Sequence, residues 1–340
     1  MSTPPVEVLI TVSFPDDLIT PLRQLSPRLR ITLQPARAPE DIPAEIWNRT
    51  EVLYTDRLLP APDAAPNLRW IQFHYAGIDH VATHPLLNKP NLAITTLSGA
   101  AAPQVAEYAV MMMLALGHKM PDLHTNQFKA DWPKDRWERF KPIELRGSTV
   151  GIVGYGSIGR EIARLLQPFE VKVLAAKRDA MKPLDDGYTP TGLGDPEGDL
   201  FTRLYPIAAL KSMVKTCDFV VVCVPLTPQT RNLIGEAELA AMGPNAYLVD
   251  VSRGGIVQPQ ALVTALQEKK IAGAALDVFA DEPLPPSSPL WRLPNVLISP
   301  HISGISPHYS RRAVALFTDN LARYLSGVKL FNLYEPELGY

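Results

Sequence analysis

Six short apolar runs between Ser148 and Pro300 constrain this chain more than any other feature: STVGIVG, VKVLAA, DFVVVCV, AYLVDV, AGAALDV and NVLISP. Each is nearly continuous in hydrophobic residues, so each reads as a strand covered on both faces. Helical stretches such as GREIARLLQPF and PQALVTALQEKK separate them, and strands alternating with helices build a parallel, doubly wound sheet. The first hundred residues repeat the theme in shorter runs: VEVLITVSF, LRITLQ, EVLYT, LRWIQFHYA and LAITTL. At 340 residues the chain is about twice the usual single-domain length, and two α/β domains are expected.

Between the two sets lies PQVAEYAVMMMLALGHKM, apolar all round, with Pro103 suited to the first turn of a buried helix. Met111, Met112 and Met113 are expected in its core. The tail PHYSRRAVALFTDNLARYLSG has the pattern of an amphipathic helix. The stretch from Asp179 to Pro206 is rich in Gly, Pro and Asp and long for an α/β connection, so it is expected as a surface loop. Many of the 34 prolines fall where elements begin or end, as at Pro103, Pro225, Pro228, Pro259, Pro283 and Pro300.

Lys and Arg number 33 against 35 for Asp and Glu, a formal net charge of −2. No global basic field is present to attract nucleic acid or anionic lipid. The two cysteines, Cys217 and Cys223, form no disulfide framework and read as small core residues in a reducing compartment, Cys223 within a strand. The start MSTPPVEVLITVSF lacks the basic and apolar regions of a secretory signal, and no apolar stretch reaches the ~18 residues of a membrane span. A cytoplasmic protein is expected.

The first apolar run leads into VGIVGYGSIGREIARL, which puts Gly154, Gly156 and Gly159 in G-x-G-x-x-G spacing between a strand and a helix. That context is what a dinucleotide fold needs. Gly154 permits the tight turn, Gly156 the close approach of backbone to a pyrophosphate, and Gly159 the packing of helix on strand. The N–H groups of Tyr155, Ser157 and Ile158, at the positive end of the helix dipole, are expected to face the phosphates. A glycine turn without a ligand is the plainer alternative.

An NAD site usually places an acid against the ribose 2′-hydroxyl at the end of the second strand. Here that strand ends in Lys177 and Arg178, two cations suited to a 2′-phosphate, so NADP(H) is favoured over NAD(H). Asp179 lies one step further on and could serve NAD, and a solvated charge run would explain the same residues.

Three strings follow late strands at their carboxyl ends, where open α/β sheets assemble their sites: VDVSRGGIV with Arg253, LDVFADEP with Glu282, and SPHISG with His301. With YAGIDH, PQVAEYA, ELRGSTVGIVGYGSIGR, VPLTPQTRNLIG and PLWRLPNVLISPHISG, in that order along nearly the whole chain, the sequence resembles the D-isomer-specific 2-hydroxyacid dehydrogenase family. The resemblance implies a Rossmann dinucleotide domain, residues 103–307, inserted in a flavodoxin-like substrate domain made of residues 1–102 and 308–340. The site is then expected between the two.

Chemistry leads to the same three residues. Reducing a 2-keto acid requires a cation for the carboxylate and carbonyl, a hydride donor, and a proton donor for the new alkoxide. Arg253 supplies a permanently charged planar fork, and His301 the proton, with Glu282 stabilising its imidazolium. Singly, each has a plainer role: Arg253 in a surface ion pair, Glu282 as a capping acid, His301 as a satisfied core histidine.

The resemblance further implies that Asp277 binds the nicotinamide carboxamide, an acid ending a strand being the plainer alternative. It implies that Val224, Pro225 and Thr230 lie along the dinucleotide, and that Val251, Ser252 and Gly304 line the nicotinamide pocket. Tyr75, Ala76 and Gly77 match the loop whose N–H groups hold the substrate carboxylate, along with Arg253 and His301; a simple glycine turn is the alternative there. Asp250 stands where the family often has Asn. A small 2-keto acid of the glyoxylate or hydroxypyruvate type, a homodimer and no metal are the remaining implications. The contrasting expectation is a dinucleotide-sensing, corepressor-like scaffold with little turnover.

Overall fold

The computed structural model describes residues 4–339. They divide into two compact units, one reaching to Ala101 and resuming at Ser306, the other spanning Ala102–Ile305.

The first unit carries β1 (Val6–Ile10), β2 (Leu29–Leu33), β3 (Val52–Thr55), β4 (Trp70–Phe73) and β5 (Ala93–Thr95). All pairs are parallel and the order is β2-β1-β3-β4-β5, the flavodoxin-like arrangement. Every residue of β3 and β4 is buried, which is why these runs do not alternate in polarity. The helix Tyr309–Leu325 covers one face. Its Phe317 ring sits 4.8 Å from Tyr54 and 5.5 Å from Trp70, and its buried Asn320 donates to Gln72 Oε1 at 3.2 Å. The chain's tail therefore completes the core of its beginning, as the amphipathic pattern requires.

The second unit carries β6 (Thr149–Val153), β7 (Lys172–Lys177), β8 (Arg203–Pro206), β9 (Phe219–Val222), β10 (Tyr247–Asp250), β11 (Gly273–Leu276) and β12 (Val296–Ile298). They form one parallel sheet in the order β12-β11-β10-β9-β6-β7-β8. The order reverses at β6, so the crevice outside its carboxyl end is where ligands of such sheets bind.

Three expectations change. The stretch Asp179–Pro206 is not loop throughout, because its last four residues form the edge strand β8, paired from Leu174 with Arg203 to Lys177 with Pro206. That strand has only four residues, exposed at both ends with Leu204 and Tyr205 half-buried between them, so no long apolar run announces it. Of the three methionines in the helix Ala102–Gly117 only Met113 is fully buried, while Met111 is 50% exposed. Consecutive helical residues point about 100° apart, so three in a row cannot share one buried face. Cys223 follows β9 and donates its thiol to Gly154 O at 3.1 Å. Among the described residues, no helix is long and apolar enough to cross a membrane.

Candidate active site

The glycine turn closes β6 onto the helix Ser157–Leu166. Gly154 has φ +108°, and a Cβ there would come within 2.8 Å of Val224 Cγ1. A Cβ on Gly159 would overlap the Gly154 carbonyl, so both positions exclude a side chain. Gly156 differs: nothing lies within 4 Å of where its Cβ would be, leaving the backbone open to an approaching group. The first N–H to bond back into the helix is that of Arg160, to Gly156 O at 2.9 Å, so the N–H groups of Ser157 and Ile158 precede the helical ladder. This cradle fits a pyrophosphate.

Tyr155 does not belong to the cradle as expected. Its N–H donates to Ala176 O at 3.2 Å, continuing the β6–β7 pairing begun by Gly154 N–H at 2.9 Å to the same oxygen. Its ring is 1% exposed and its hydroxyl donates to Asp195 Oδ2 at 2.6 Å. That leaves the N–H groups of Ser157 and Ile158 as those of the turn that precede the helical ladder.

The residues following β7 are organised by the long connection. Lys177 Nζ donates to Lys182 O at 2.9 Å and to Leu184 O at 3.4 Å, and partial burial lowers its pKa. Buried Arg160 donates to the carbonyls of Asp195 and Pro183, with its Nε 3.2 Å from Asp185 Oδ2 but not aligned for a hydrogen bond. Asp195 also accepts the N–H groups of Gly198, Asp199 and Leu200. Glu161 Oε2 takes Gly194 N–H at 2.6 Å. The connection is therefore pinned to the turn and first helical residues of the cradle. Composition could not show this, because Asp195, Arg160 and Glu161 are individually ordinary charged residues. Arg178 is exposed at the start of the same segment.

On the β9 side, Val224 is buried, and the Thr230 hydroxyl is engaged within its own turn, donating to Pro225 O at 2.6 Å and accepting Thr227 N–H at 2.8 Å. Beyond β10, Val251 and Ser252 are buried, and both the N–H and the hydroxyl of Ser252 donate to Asp250 Oδ1. Burial pushes the Asp250 carboxyl up to about 7. Arg253 Nη1 donates to Ser252 O at 2.8 Å. A Cβ on Gly254 would overlap Phe279 O, so the Arg253 loop presses directly on the strand exit that leads to Glu282.

Glu282 Oε2 lies 2.8 Å from His301 Nδ1, and its Oε1 accepts Phe279 N–H at 3.0 Å. Both side chains are over one-third exposed, so the pair is reachable from solvent. The bond to a carboxylate assigns the proton to Nδ1, leaving Nε2 for chemistry. His301 has φ +53°, a left-handed conformation that costs a branched or bulky side chain of this kind about 1–2 kcal/mol.

Asp277 holds that conformation. Its main-chain carbonyl accepts His301 N–H at 2.9 Å. Its carboxylate accepts Ile302 N–H at 2.9 Å, Ser303 N–H at 2.9 Å and the Ser299 hydroxyl at 2.6 Å. Tyr108 extends the chain by a short hydrogen bond to Ser299, and Gln104 Nε2 donates to Gly304 O at 2.7 Å. Fully buried Asp277 is thus the anchor of the His301 segment.

In the first unit, the loop after β4 contains Tyr75, Ala76 and Gly77. Its entry is fixed by His74 N–H to Thr55 O at 2.7 Å and by Leu97 N–H to Tyr75 O at 3.2 Å. Tyr75 is 42% exposed.

Residues 110–303 match the family model described as D-isomer specific 2-hydroxyacid dehydrogenase, NAD binding domain. A glyoxylate reductase of Thermofilum pendens is 35% identical over 278 residues, covering 81% of this chain and 77% of that protein. Among solved structures, a D-isomer specific 2-hydroxyacid dehydrogenase from Xanthobacter autotrophicus, in complex with NADPH and MES, superposes with a TM-score of 0.80 at 27% identity. It covers 99% of this chain and 100% of its own. An NADPH-dependent glyoxylate/hydroxypyruvate reductase from Sinorhizobium meliloti, in complex with citrate, gives 0.70 at 26% identity, covering 97% and 98%.

Proposed function

The chain belongs to the D-isomer specific 2-hydroxyacid dehydrogenase family, and from that premise we propose that it reduces a small 2-keto acid of the glyoxylate or hydroxypyruvate type to the D-2-hydroxy acid. The observation that carries this reading is the His301–Glu282 pair, presented from left-handed backbone in the unit that also carries the glycine cradle.

A reduced nicotinamide, when bound, supplies the hydride. Ser157 and Ile158 would receive its pyrophosphate, and Asp277, Val251, Ser252 and Gly304 would face the nicotinamide end. Val224, Pro225 and Thr230 would lie along the dinucleotide through backbone and apolar surface, since the Thr230 hydroxyl is already engaged. Arg253 holds the substrate carboxylate and polarises the carbonyl. As hydride reaches C2, the carbonyl electron pair moves to oxygen, and His301 Nε2 gives it a proton. Glu282 compensates the charge His301 carries beforehand and fixes its tautomer. Tyr75, Ala76 and Gly77 supply N–H groups to the substrate carboxylate.

The cofactor is NADP(H) in preference to NAD(H). Arg178 is the cation assigned to the 2′-phosphate, and two similar structures, one in complex with NADPH and one named as NADPH-dependent, support this direction. A homodimer is supported by Phe128, Trp132 and Trp137, which are 79%, 82% and 75% exposed in residues 120–140. Size-exclusion chromatography with light scattering tests it.

The decisive experiment pairs NADPH and NADH with glyoxylate, hydroxypyruvate, pyruvate and bulkier 2-keto acids. Turnover with a small acid is expected, and His301→Asn is expected to lower kcat by about 10²–10⁴-fold with cofactor affinity kept. Tight dinucleotide binding with no oxidation of either cofactor by any acid would overturn the reading in favour of a dinucleotide sensor.

A further inference from the structure

The first unit contains a device whose parts no motif connects. Tyr309 opens the helix Tyr309–Leu325, 235 residues after His74, and its hydroxyl donates to the His74 carbonyl at 2.5 Å. The His74 carbonyl and the Tyr75 N–H belong to one peptide unit, and in a planar trans peptide these two groups point in opposite directions. Fixing the carbonyl therefore fixes the direction of the N–H. The next peptide repeats the arrangement, since Leu97 N–H holds Tyr75 O at 3.2 Å and so sets the Ala76 N–H. Among the described residues no protein acceptor takes the N–H of Tyr75 or Ala76. Two successive unpaired donors on aimed peptides are the elements of an anion nest.

The aim is rigid because His74 is held on every side. Its N–H bonds to Thr55 O, and its Nδ1 lies 2.7 Å from the hydroxyl of fully buried Tyr54. The rings of Phe14, Tyr54 and Tyr309 meet it edge-on at 5.7, 5.7 and 5.2 Å. The Tyr309 ring also lies 6.5 Å from the half-exposed Tyr75 ring, at an interplanar angle of 29°. Burial pushes the His74 imidazole down to about 4, so at neutral pH it is an uncharged wedge.

We propose that Tyr309 is a positioning residue for the substrate: acting through the His74 carbonyl, it aims the Tyr75 and Ala76 N–H groups at the substrate carboxylate. The proposal rests on the reading that the loop Tyr75–Gly77 receives that carboxylate, and goes beyond it by assigning the loop's geometry to the chain's last long helix. The contribution of Tyr309 is confined to binding the acid.

The test is steady-state kinetics on the full-length enzyme carrying Tyr309→Phe, which keeps the ring and removes only the hydroxyl. KM for the keto acid is expected to rise about ten-fold, with kcat and the cofactor dissociation constant each within about two-fold of wild type. Affinity for oxalate, a carboxylate that cannot be reduced, is expected to weaken in parallel in a fluorescence titration. Tyr324→Phe removes a 2.6 Å hydrogen bond to Glu51 from the same helix and controls for general loosening; it is expected to leave KM unchanged. Ala76→Pro deletes one of the aimed N–H groups and examines the loop itself, with a rise in KM expected. A rise with Ala76→Pro but none with Tyr309→Phe overturns the role of Tyr309 and leaves the loop reading standing. No change in either variant overturns both. Equal rises in Tyr309→Phe and Tyr324→Phe reduce Tyr309 to a structural residue. If Tyr309→Phe does not fold, Tyr309→His, which keeps a ring donor, takes its place with a smaller expected rise.

Discussion

Lys177 donates its ammonium to the carbonyl of Lys182, 2.9 Å away, and so closes the long connection onto the end of β7. Two adjacent cations at this point have identical appeal for a 2′-phosphate when only their order in the chain is known. The fold commits Lys177 to carbonyls of its own segment. A charge-assisted hydrogen bond to phosphate contributes about 1.5–3 kcal/mol, roughly ten-fold or more in affinity. Arg178→Ala is therefore expected to lower the ratio of kcat/KM for NADPH over NADH at least about ten-fold. Lys177→Met is expected to lower the thermal midpoint and change that ratio less than about three-fold. A larger loss of preference from Lys177→Met than from Arg178→Ala would reverse the assignment.

Asp277 accepts three hydrogen bonds that fix the segment around His301. An asparagine offers a single acceptor oxygen and turns an amide N–H toward a backbone donor. Asp277→Asn is expected to cost about 1–3 kcal/mol in urea unfolding and to reduce kcat along with it, because the left-handed His301 loses its clamp. Wild-type stability together with wild-type kcat would show that the clamp is dispensable.

Asp250 titrates at about 7 in the folded protein because burial disfavours its charge, against 3.8 for an ordinary Asp. The native state then holds a proton that the unfolded chain has released, so this stabilisation is complete below about pH 4 and is lost as pH rises through 7. Asp250→Asn removes the titration while keeping an acceptor for Ser252. Relative to wild type, the variant is expected to gain stability between pH 5 and 8, by up to roughly 4 kcal/mol. Guanidinium unfolding midpoints across that range measure it, and parallel curves for the two proteins would contradict it.

His74 has the opposite sign. Its folded pKa of about 4 lies below the ordinary 6.5, so the neutral form is the one the fold favours. The associated stability is present above about pH 6.5 and declines as pH falls through 4, by about 3 kcal/mol in all. His74→Phe is expected to flatten the acid limb of the stability profile. An unchanged acid limb would place the proton uptake elsewhere.

How far the site could be read from the chain depends on how local each requirement is. Gly154, Gly156 and Gly159 were legible because a positive φ and two close approaches leave few residue types possible within six positions. The strands β6, β7, β9, β10 and β11 were legible because burial on both faces leaves continuous apolar runs. By contrast, Tyr155 sits inside the glycine string yet turns away from it, toward Asp195, 40 residues on. The edge strand β8 pairs on one side only and has just four residues, two of them exposed, which is too short for periodicity to mark it.

By itself, the sequence determined the two parallel α/β units, the dinucleotide turn and the candidate Arg253, Glu282 and His301, since these follow from patterning, backbone restrictions and side-chain chemistry. Only the tertiary structure decided that Lys177 is spent within its own connection, that Asp277 anchors the histidine segment, and that Tyr309 fixes the peptide ahead of Tyr75. The reason is physical. Each of these is a hydrogen bond whose donor and acceptor were equally free to bond water in the unfolded chain, and only the packed fold, by excluding that water, selects the partner.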